Sequence, residues 1–165
     1  MSRILALDQA LKITGYAVFE GKELIDYGTF FIPAHKPIEE RLNLVMRHLY
    51  ELDQKYDFSE VFFEDIQNQQ NNETYKKLAY VQAVIMIWCY NKPYKFTILS
   101  PSHWRAILKQ FNNGFSFGRA RVEQKQKAIE FVSTYFHKEV SSDEADAICL
   151  GYAGILEREK NKNAW

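Results

Sequence analysis

Alternation of apolar and polar residues predicts that the chain begins with three strands. The first strand ends at Asp8, which follows an apolar run, and Gly21-Lys22 marks a tight hairpin turn between the second and third. Two shorter runs rich in aromatic and branched residues predict strands later in the chain. The predicted strands are Ser2–Leu7, Thr14–Glu20, Glu23–Ile32, Glu60–Ile66 and Lys95–Leu99.

Apolar residues that recur every three or four positions predict the helices. After Pro33 and Pro37, the spacing of Ile38, Leu42 and Val45 indicates a helix whose first turn carries two glutamates, a favourable charge at that end. A capping signal precedes the last helix. The other predicted helices begin near Thr74 and Pro101, span about Arg121–Phe136, and begin near Ser142.

The order of these elements indicates the fold class. Three consecutive strands favour an antiparallel meander, whereas the later alternation of strands and helices favours parallel pairing. The sequence therefore predicts an α/β protein with a mixed sheet that is covered by helices on both faces.

Length and composition restrict the class of protein further. With 165 residues, 47% of them apolar and 25% charged, the chain fits one globular domain over residues 1–165. Cys89 and Cys149 are sixty positions apart, which disfavours a disulfide framework or a zinc site. The apolar run Val81–Tyr90 is too short to cross a bilayer, and the N-terminus lacks a secretory pattern. We therefore expect a cytoplasmic protein without a membrane segment.

Charge is distributed unevenly although the chain is neutral overall. Between positions 92 and 130, eight basic residues face only two acidic ones, so this segment carries +6 and the remainder −6. Such a split allows a positive surface for nucleic acid, although solvated helix faces are the alternative. The basic residues are Lys92, Lys95, Arg105, Lys109, Arg119, Arg121, Lys125 and Lys127.

Four acidic residues stand out by their positions, and each of the three segments that carry them places a carboxylate where burial is expected. Asp8 ends the first strand, and Glu64 lies within the apolar strand 60–66. Asp143 and Asp146 are three positions apart at the start of the last helix, which places both on one face. Structural interpretations are also available: Asp8 as a turn residue, Glu64 as a charge on an edge strand, and Asp143 as a favourable charge at a helix N-terminus.

Together, the four carboxylates predict a metal site more readily than four separate structural roles. If they converge, their mutual repulsion is relieved by a cation. Oxygen ligands without His or Cys favour Mg²⁺ or Mn²⁺, and two such ions can hydrolyse a phosphodiester. A nucleotide cofactor is not expected, because glycine-rich phosphate loops are lacking and only Gly15 and the pair Gly114 and Gly118 are available.

Several motifs resemble those of RuvC-type Holliday junction resolvases. Residues 4–10 (I-L-A-L-D-Q-A) and 14–18 (T-G-Y-A-V) are similar to the family's G-I-D-P-G and T-G-Y-G-V opening. Residues 62–64 (F-F-E) resemble its second acidic strand, and residues 142–147 (S-D-E-A-D-A) resemble its D-x-A-D-A helix start. Residues 100–105 (S-P-S-H-W-R) are similar to its segment of proline followed by a basic residue. The resemblance covers nearly the whole chain in family order.

This resemblance implies an RNase H-like fold with five strands and a homodimer. It implies that Arg105 and Lys125 touch phosphate near the scissile bond. The helix Thr74–Tyr90 would form much of the dimer interface, where Tyr80 and Trp88 look exposed; an ordinary buried helix is the alternative. The residues that the resemblance implies as ligands of two Mg²⁺ ions, with Mn²⁺ able to substitute, are Asp8, Glu64, Asp143 and Asp146.

The sequence also departs from the family pattern. Gln9-Ala10 replaces the usual Pro-Gly, and Arg105 stands where lysine is common. The loop Asn112–Gly118 carries Phe115 and Phe117, which could stack on bases at a branch point or fold back into the core. Asp65 beside Glu64 leaves two candidates for the inner ligand, and motif position favours Glu64. These departures, with the Asn/Gln-rich stretch 67–72, favour a divergent or phage-type member.

The function expected from these features is metal-dependent resolution of four-way DNA junctions by paired nicks from a homodimer. Lys109, Arg119 and Arg121 join Arg105 and Lys125 as predicted DNA-binding residues. Three alternatives remain open at this stage: a flap or branched-DNA nuclease, a nuclease for RNA–DNA hybrids, and a DNA-binding module without catalysis.

Overall fold

Five strands and five helices build the chain in the predicted order. The computed structural model describes residues 2–67 and 70–164, so part of the Asn/Gln-rich stretch lies outside the described residues. The strands are β1 (Arg3–Asp8), β2 (Ile13–Glu20), β3 (Glu23–Phe31), β4 (Phe58–Glu64) and β5 (Lys95–Leu99). The helices are α1 (Ile38–Lys55), α2 (Asn72–Asn91), α3 (Pro101–Phe111), α4 (Arg121–Phe136) and α5 (Ser142–Lys162).

The five strands form one mixed sheet in the order β3-β2-β1-β4-β5. β1, β2 and β3 pair antiparallel, as the tight turn at Gly21 suggests. β4 pairs parallel with β1, and β5 pairs parallel with β4, each reached through a helix. The mixed α/β sheet predicted from the element order is thus confirmed.

Successive residues of β1 point to opposite faces of the sheet, and each face carries its own core. Leu5 and Leu7 pack with α1 and α2 on one face, whereas Ile4 and Ala6 pack with α3, α4 and α5 on the other. The central strands are therefore covered on both sides. This leaves the ends of the strands, rather than their faces, accessible to a ligand.

Helix α5 lies especially close to the sheet because it carries two glycines. A Cβ atom on Gly151 would come within 2.7 Å of the Ala6 Cβ atom, and one on Gly154 within 2.7 Å of the Phe62 ring. The two glycines are three positions apart, so they lie on the same side of the helix. Their close approach holds α5 directly above β1 and β4.

The structure revises several predicted boundaries. β4 begins at Phe58 and ends at Glu64 rather than Ile66, and α2 begins at Asn72 rather than Thr74. The Asn71 side chain accepts hydrogen bonds from two amides of the first turn, which explains the earlier start. The capping signal before α5 is confirmed, because Ser141 and Glu144 form a reciprocal capping box.

Helix α2 exposes aromatic residues, but of the two that the sequence predicts to be exposed only Tyr80 is. Tyr80 is 40% exposed, whereas Trp88 is only 4% exposed and packs edge-on against Phe58 and Tyr94. Tyr90 is 79% exposed and takes the outward position instead.

Within residues 2–67 and 70–164, no helix has the length and apolar character needed to cross a membrane.

Candidate active site

Asp8 and Glu64 lie at the same edge of the sheet. β1 and β4 are adjacent parallel strands, and each of these residues is the last of its strand. Because parallel strands end at a common edge, two residues 56 positions apart in the chain become neighbours. Both residues lie at the ends of their strands, where the helices on the two faces do not cover the sheet.

Helix α5 brings two further carboxylates to this edge. Gly15 is the partner of Asp8 in the β1–β2 ladder, and a Cβ atom there would lie 2.0 Å from the carbonyl oxygen of Asp143. The first turn of α5 therefore rests directly on the glycine beside Asp8. Asp143 belongs to this turn, and Asp146 follows one turn later on the same side.

The four predicted acidic residues line one open cleft. Its volume is about 420 Å³, and its wall is mostly polar. The acidic members are accompanied by four basic side chains from the predicted positive segment. The charged residues of the lining are Asp8, Glu64, Asp65, Asp143, Asp146, Arg105, Arg119, Arg121 and Lys125.

Burial raises the pKa of three of these carboxyl groups, and repulsion by neighbouring carboxylates adds to the shift at Asp8 and Asp146. Burial raises the pKa of Asp8 well above its usual range, and the negative charges of Glu64 and Asp146 raise it further. Burial, followed by the charge of Glu64, raises the pKa of Asp146 to about 7. The pKa of Glu64 is raised by burial and held down by a hydrogen bond from Trp104 and by the charge of Arg105.

The hydrogen bonds distinguish Glu64 from its neighbour. Trp104 Nε1 donates to Glu64 Oε2 at 3.0 Å, so the carboxylate is held on the inner side of the cleft. The Asp65 carboxylate is exposed and accepts from the amide of the next residue. The Glu64 carboxylate lies close enough for its charge to act on Asp8 and Asp146. Its assignment as the inner ligand stays a prediction.

Basic residues from α3, α4 and the loop before α4 form a basic part of the cleft wall. Arg105 lies over the Trp104 ring, 4.7 Å from its centroid, and its buried Nε atom has no hydrogen-bond partner in the described part of the chain. Arg119, Arg121 and Lys125 complete this wall. Lys109 is exposed near the end of α3 and is not part of the lining.

The structure packs the two loop phenylalanines against the core. Phe117 is 4% exposed, and its ring lies 5.5 Å from that of Trp104. Phe115 is half-buried between the rings of Phe117 and Phe131. In this arrangement neither ring extends into the cleft. The prediction that they stack on bases is thus corrected to the other alternative, because aromatic contacts within the protein hold them.

The chemistry of the cleft fits a hard divalent cation. Its candidate ligands are all oxygens, and Asp146 Oδ1 is buried without a hydrogen-bond partner among the described residues. As the side chains stand, no three His, Cys, Asp or Glu residues in the described ranges form a group that could hold a metal ion.

Comparison with known proteins identifies the family. The family model of the crossover junction endodeoxyribonuclease RuvC matches residues 4–153, which include every acidic residue of the cleft. The chain belongs to the RuvC family. RuvC proteins are endodeoxyribonucleases of crossover junctions and, in general, metal-dependent.

Relatives and solved structures agree with this assignment. A RuvC from Clostridioides difficile is 31% identical, with 94% of this chain and 93% of that protein covered. The fold matches T. thermophilus RuvC in complex with a Holliday junction substrate, with a TM-score of 0.77, 13% identity, and 97% and 96% of the two chains covered. It also matches the yeast mitochondrial Holliday junction resolvase Ydc2, with a TM-score of 0.65, 14% identity, and 99% and 85% covered. The predicted RNase H-like fold is confirmed.

Two residues that contact Glu64 in this RuvC cleft are not among the site residues that the sequence predicts. Trp104 enters the sequence prediction only as part of the segment 100–105, and its hydrogen bond to Glu64 depends on the contact between α3 and β4. Gln9 bonds to the main chain of Glu64. The available signal for Gln9 was its place directly after Asp8, where the family pattern has proline.

Proposed function

We propose that this chain resolves four-way DNA junctions by Mg²⁺-dependent hydrolysis of phosphodiesters. The observation that carries this function is that four carboxylates from three separate segments line one cleft that basic side chains also line. Acidic and basic groups so arranged can hold cations and a phosphate backbone side by side. The family to which the chain belongs makes a crossover junction the substrate expected for that cleft.

Each acidic residue has a proposed role. Asp8 and Asp146 hold the metal ions, and Glu64 ligates one of them. Asp143 completes the site and orients the attacking water. Two Mg²⁺ ions, or Mn²⁺ in their place, would supply activation of a water molecule and stabilisation of the leaving oxygen. Asp146 Oδ1 is buried and has no hydrogen-bond partner among the described residues, and burial together with repulsion by neighbouring carboxylates raises the pKa of Asp8. Both observations support an ion between these groups.

The basic wall holds the DNA backbone in this proposal. Arg105 presents a guanidinium group that forms no ion pair within the described residues, and a phosphate can pair with it. Arg119, Arg121 and Lys125 extend the positive surface along the cleft. Lys109 lies outside the cleft and contacts DNA only if the duplex continues beyond it.

Paired nicks require two copies of the chain. The outer side of α2 carries Tyr80, Ile87 and Tyr90, all of them exposed large apolar residues on one helix. Exposed apolar residues grouped in this way are typical of protein–protein contacts. We therefore propose a homodimer that buries this side of α2 and places one cleft on each strand of the junction.

The decisive experiment compares charge-neutralised variants on a synthetic four-way junction in Mg²⁺. Asp8→Asn and Asp146→Asn should bind the junction but fail to cut it, since each loses a carboxylate of the cleft. Asp57→Asn is the matched control: Asp57 is exposed just before β4, at the strand end opposite Glu64. It should cut at the wild-type rate.

The outcomes separate the candidate functions. Full cleavage by Asp8→Asn or Asp146→Asn would exclude the metal assignment. Wild-type protein that cuts a flap or an RNA–DNA hybrid faster than the four-way junction would indicate a broader nuclease of this fold. Binding without Mg²⁺-dependent turnover would indicate a DNA-binding module.

A further inference from the structure

Gln9 joins the ends of the two strands that carry Asp8 and Glu64. The amide N–H of Glu64 donates to Gln9 Oε1 at 3.1 Å, and Gln9 Nε2 donates to the carbonyl oxygen of Glu64. One side-chain amide thus satisfies both main-chain polar groups of a single residue. A primary amide offers the same donor and acceptor as a peptide group, so it can replace one in a ladder.

This pair of bonds occurs where the main-chain ladder stops. The last partners between β1 and β4 are Leu7 and Phe63, and the ladder does not include Asp8 or Glu64. On its other side, Glu64 is the partner of Leu99 in β5. The side-chain amide of Gln9 therefore adds one more pair of hydrogen bonds to the β1–β4 ladder, where a main-chain peptide group of β1 would otherwise be needed.

Glu64 is held at two points as a result. Gln9 fixes its main chain, and Trp104 fixes its carboxylate through the bond from Nε1 to Oε2 at 3.0 Å. Trp104 is fully buried and packed edge-on against Phe117, so its N–H group has little freedom to move. Asp8 directly precedes Gln9, and the same bonds therefore set its main chain relative to that of Glu64.

We propose that Gln9 is a positioning residue that sets the spacing between Asp8 and Glu64 for divalent cation binding. This role rests on the proposed function of the cleft. The Pro-Gly pair that the family pattern has at positions 9 and 10 offers no side-chain amide for these bonds. In this chain, the two hydrogen bonds of the Gln9 side chain hold the strand ends together.

The test uses Gln9→Ala in the full-length protein, with three measurements. Hydrogen exchange at the Glu64 amide should become faster, because its acceptor is lost. Mn²⁺ binding to the DNA-free protein, followed by the electron paramagnetic resonance signal of free Mn²⁺, should weaken by about 10–100-fold, as is typical when a group that orients metal ligands is removed. Junction affinity in EDTA should stay within about twofold, since Gln9 carries no charge.

Two further variants control for a general loss of structure. Ser59→Ala removes the hydrogen bond from Ser59 Oγ to the Arg3 carbonyl oxygen, which also links β4 to β1 but at the far end of the strands. It should leave Mn²⁺ binding unchanged. Gln9→Asn keeps the amide but is one methylene shorter, so it should fold as the wild type does and still lose most of the Mn²⁺ affinity.

The results distinguish this role from the proposed function itself. Mn²⁺ affinity that is the same in wild type, Gln9→Ala and Gln9→Asn would overturn the positioning role. If Asp8→Asn also bound Mn²⁺ normally and cut junctions, the metal assignment of the whole cleft would fall. Weaker Mn²⁺ binding in Ser59→Ala, equal to that in Gln9→Ala, would show only a general effect of loosening β1 from β4 and would overturn the role as well.

Discussion

The carbonyl oxygen of Asp143 lies 2.0 Å from the position that a Cβ atom would occupy on Gly15. Only a residue without a side chain leaves room for the first turn of α5 at this point. Because Gly15 is also the ladder partner of Asp8, the missing side chain brings the carboxylates of β1 and α5 into one cleft. The T-G-Y-A-V motif thus requires glycine at position 15 because any side chain there would collide with the first turn of α5.

Gly15→Ala should therefore damage both stability and the site. The added methyl group would meet backbone atoms, which cannot rotate away, so α5 must shift. Overpacking of this kind costs about 1–3 kcal/mol of unfolding free energy. We expect a lower urea midpoint together with weaker Mg²⁺-dependent cleavage.

Gly28→Ala is the matched control in the neighbouring strand. The three atoms nearest to a Cβ atom on Gly28 would all belong to the Tyr16 side chain, with its hydroxyl oxygen at 2.8 Å, and that side chain can move. Cleavage by this variant should stay near the wild-type rate. A Gly15→Ala protein as active and stable as the control would contradict the close approach of α5.

Asp146→Asn should stabilise the metal-free protein at high pH. Burial and the charge of Glu64 raise the pKa of Asp146 in the folded chain to about 7, against an ordinary value of 3.8. Between these two values the folded state binds more protons, so its stability falls as pH rises through about 7. The neutral amide escapes this loss. At pH 8 in EDTA we expect a melting temperature about 2–8 °C above wild type.

The same comparison at a pH below 3.8 provides the control. There Asp146 is protonated in both the folded and the unfolded state, so the two melting temperatures should nearly coincide. Asp57→Asn, which changes an exposed carboxylate, should follow the wild type at both pH values. A constant difference between Asp146→Asn and wild type from pH 5 to pH 8 would rule out a raised pKa at this site.

Removing one basic side chain from the cleft should change how junction binding depends on salt. Arg119 is exposed and lines the cleft, so Arg119→Ala should leave the fold intact. Loss of one phosphate contact should reduce the slope of log affinity against log salt by about 1. Lys127→Ala removes an equal charge that is paired with Glu130 at 3.2 Å outside the cleft. Equal slopes for the two variants would mean that the cleft wall does not hold the backbone.

Phe117 should stabilise the fold and should not stack on a DNA base. Its ring is buried against Trp104 and Phe131, so Phe117→Ala should lose about 3–5 kcal/mol of unfolding free energy. Phe117→Leu fills most of the same volume and should fold. With this variant, the fluorescence of 2-aminopurine at the centre of a bound junction should match that with wild type. A clear drop in the 2-aminopurine signal would show that the ring does stack on a base.

Local sequence patterns were enough for most of the elements, and their failures have physical causes. β5 and α4 have their predicted bounds, because period and flanking turn residues act over a few positions. β4 begins earlier than predicted because Phe58 pairs with Arg3, a partner that the local pattern does not contain. For α2, the missed signal was local: Asn71 is a cap residue.

For the site, the acidic residues could be predicted from the sequence, but the side chains that contact them could not. Asp8, Glu64 and Asp146 were recognisable because each interrupts an apolar pattern, and Asp143 because it lies three positions before Asp146. The hydrogen bonds from Gln9 and Trp104 to Glu64 join residues 55 and 40 positions apart, so no local spacing encodes them. Likewise, a count of basic residues could not separate Arg119, in the cleft, from Lys109, outside it.

By itself, the sequence determined the order of strands and helices, the acidic residues that could bind a cation, and the family to which the chain belongs. Those properties reside in side-chain chemistry and in periods of two to four residues. Only the tertiary structure decided that Phe117 is core, that Trp88 is covered, and that Gln9 bridges two strand ends. Each of these depends on how closely separate elements approach one another, and that distance follows from the packing of the whole sheet and its helices.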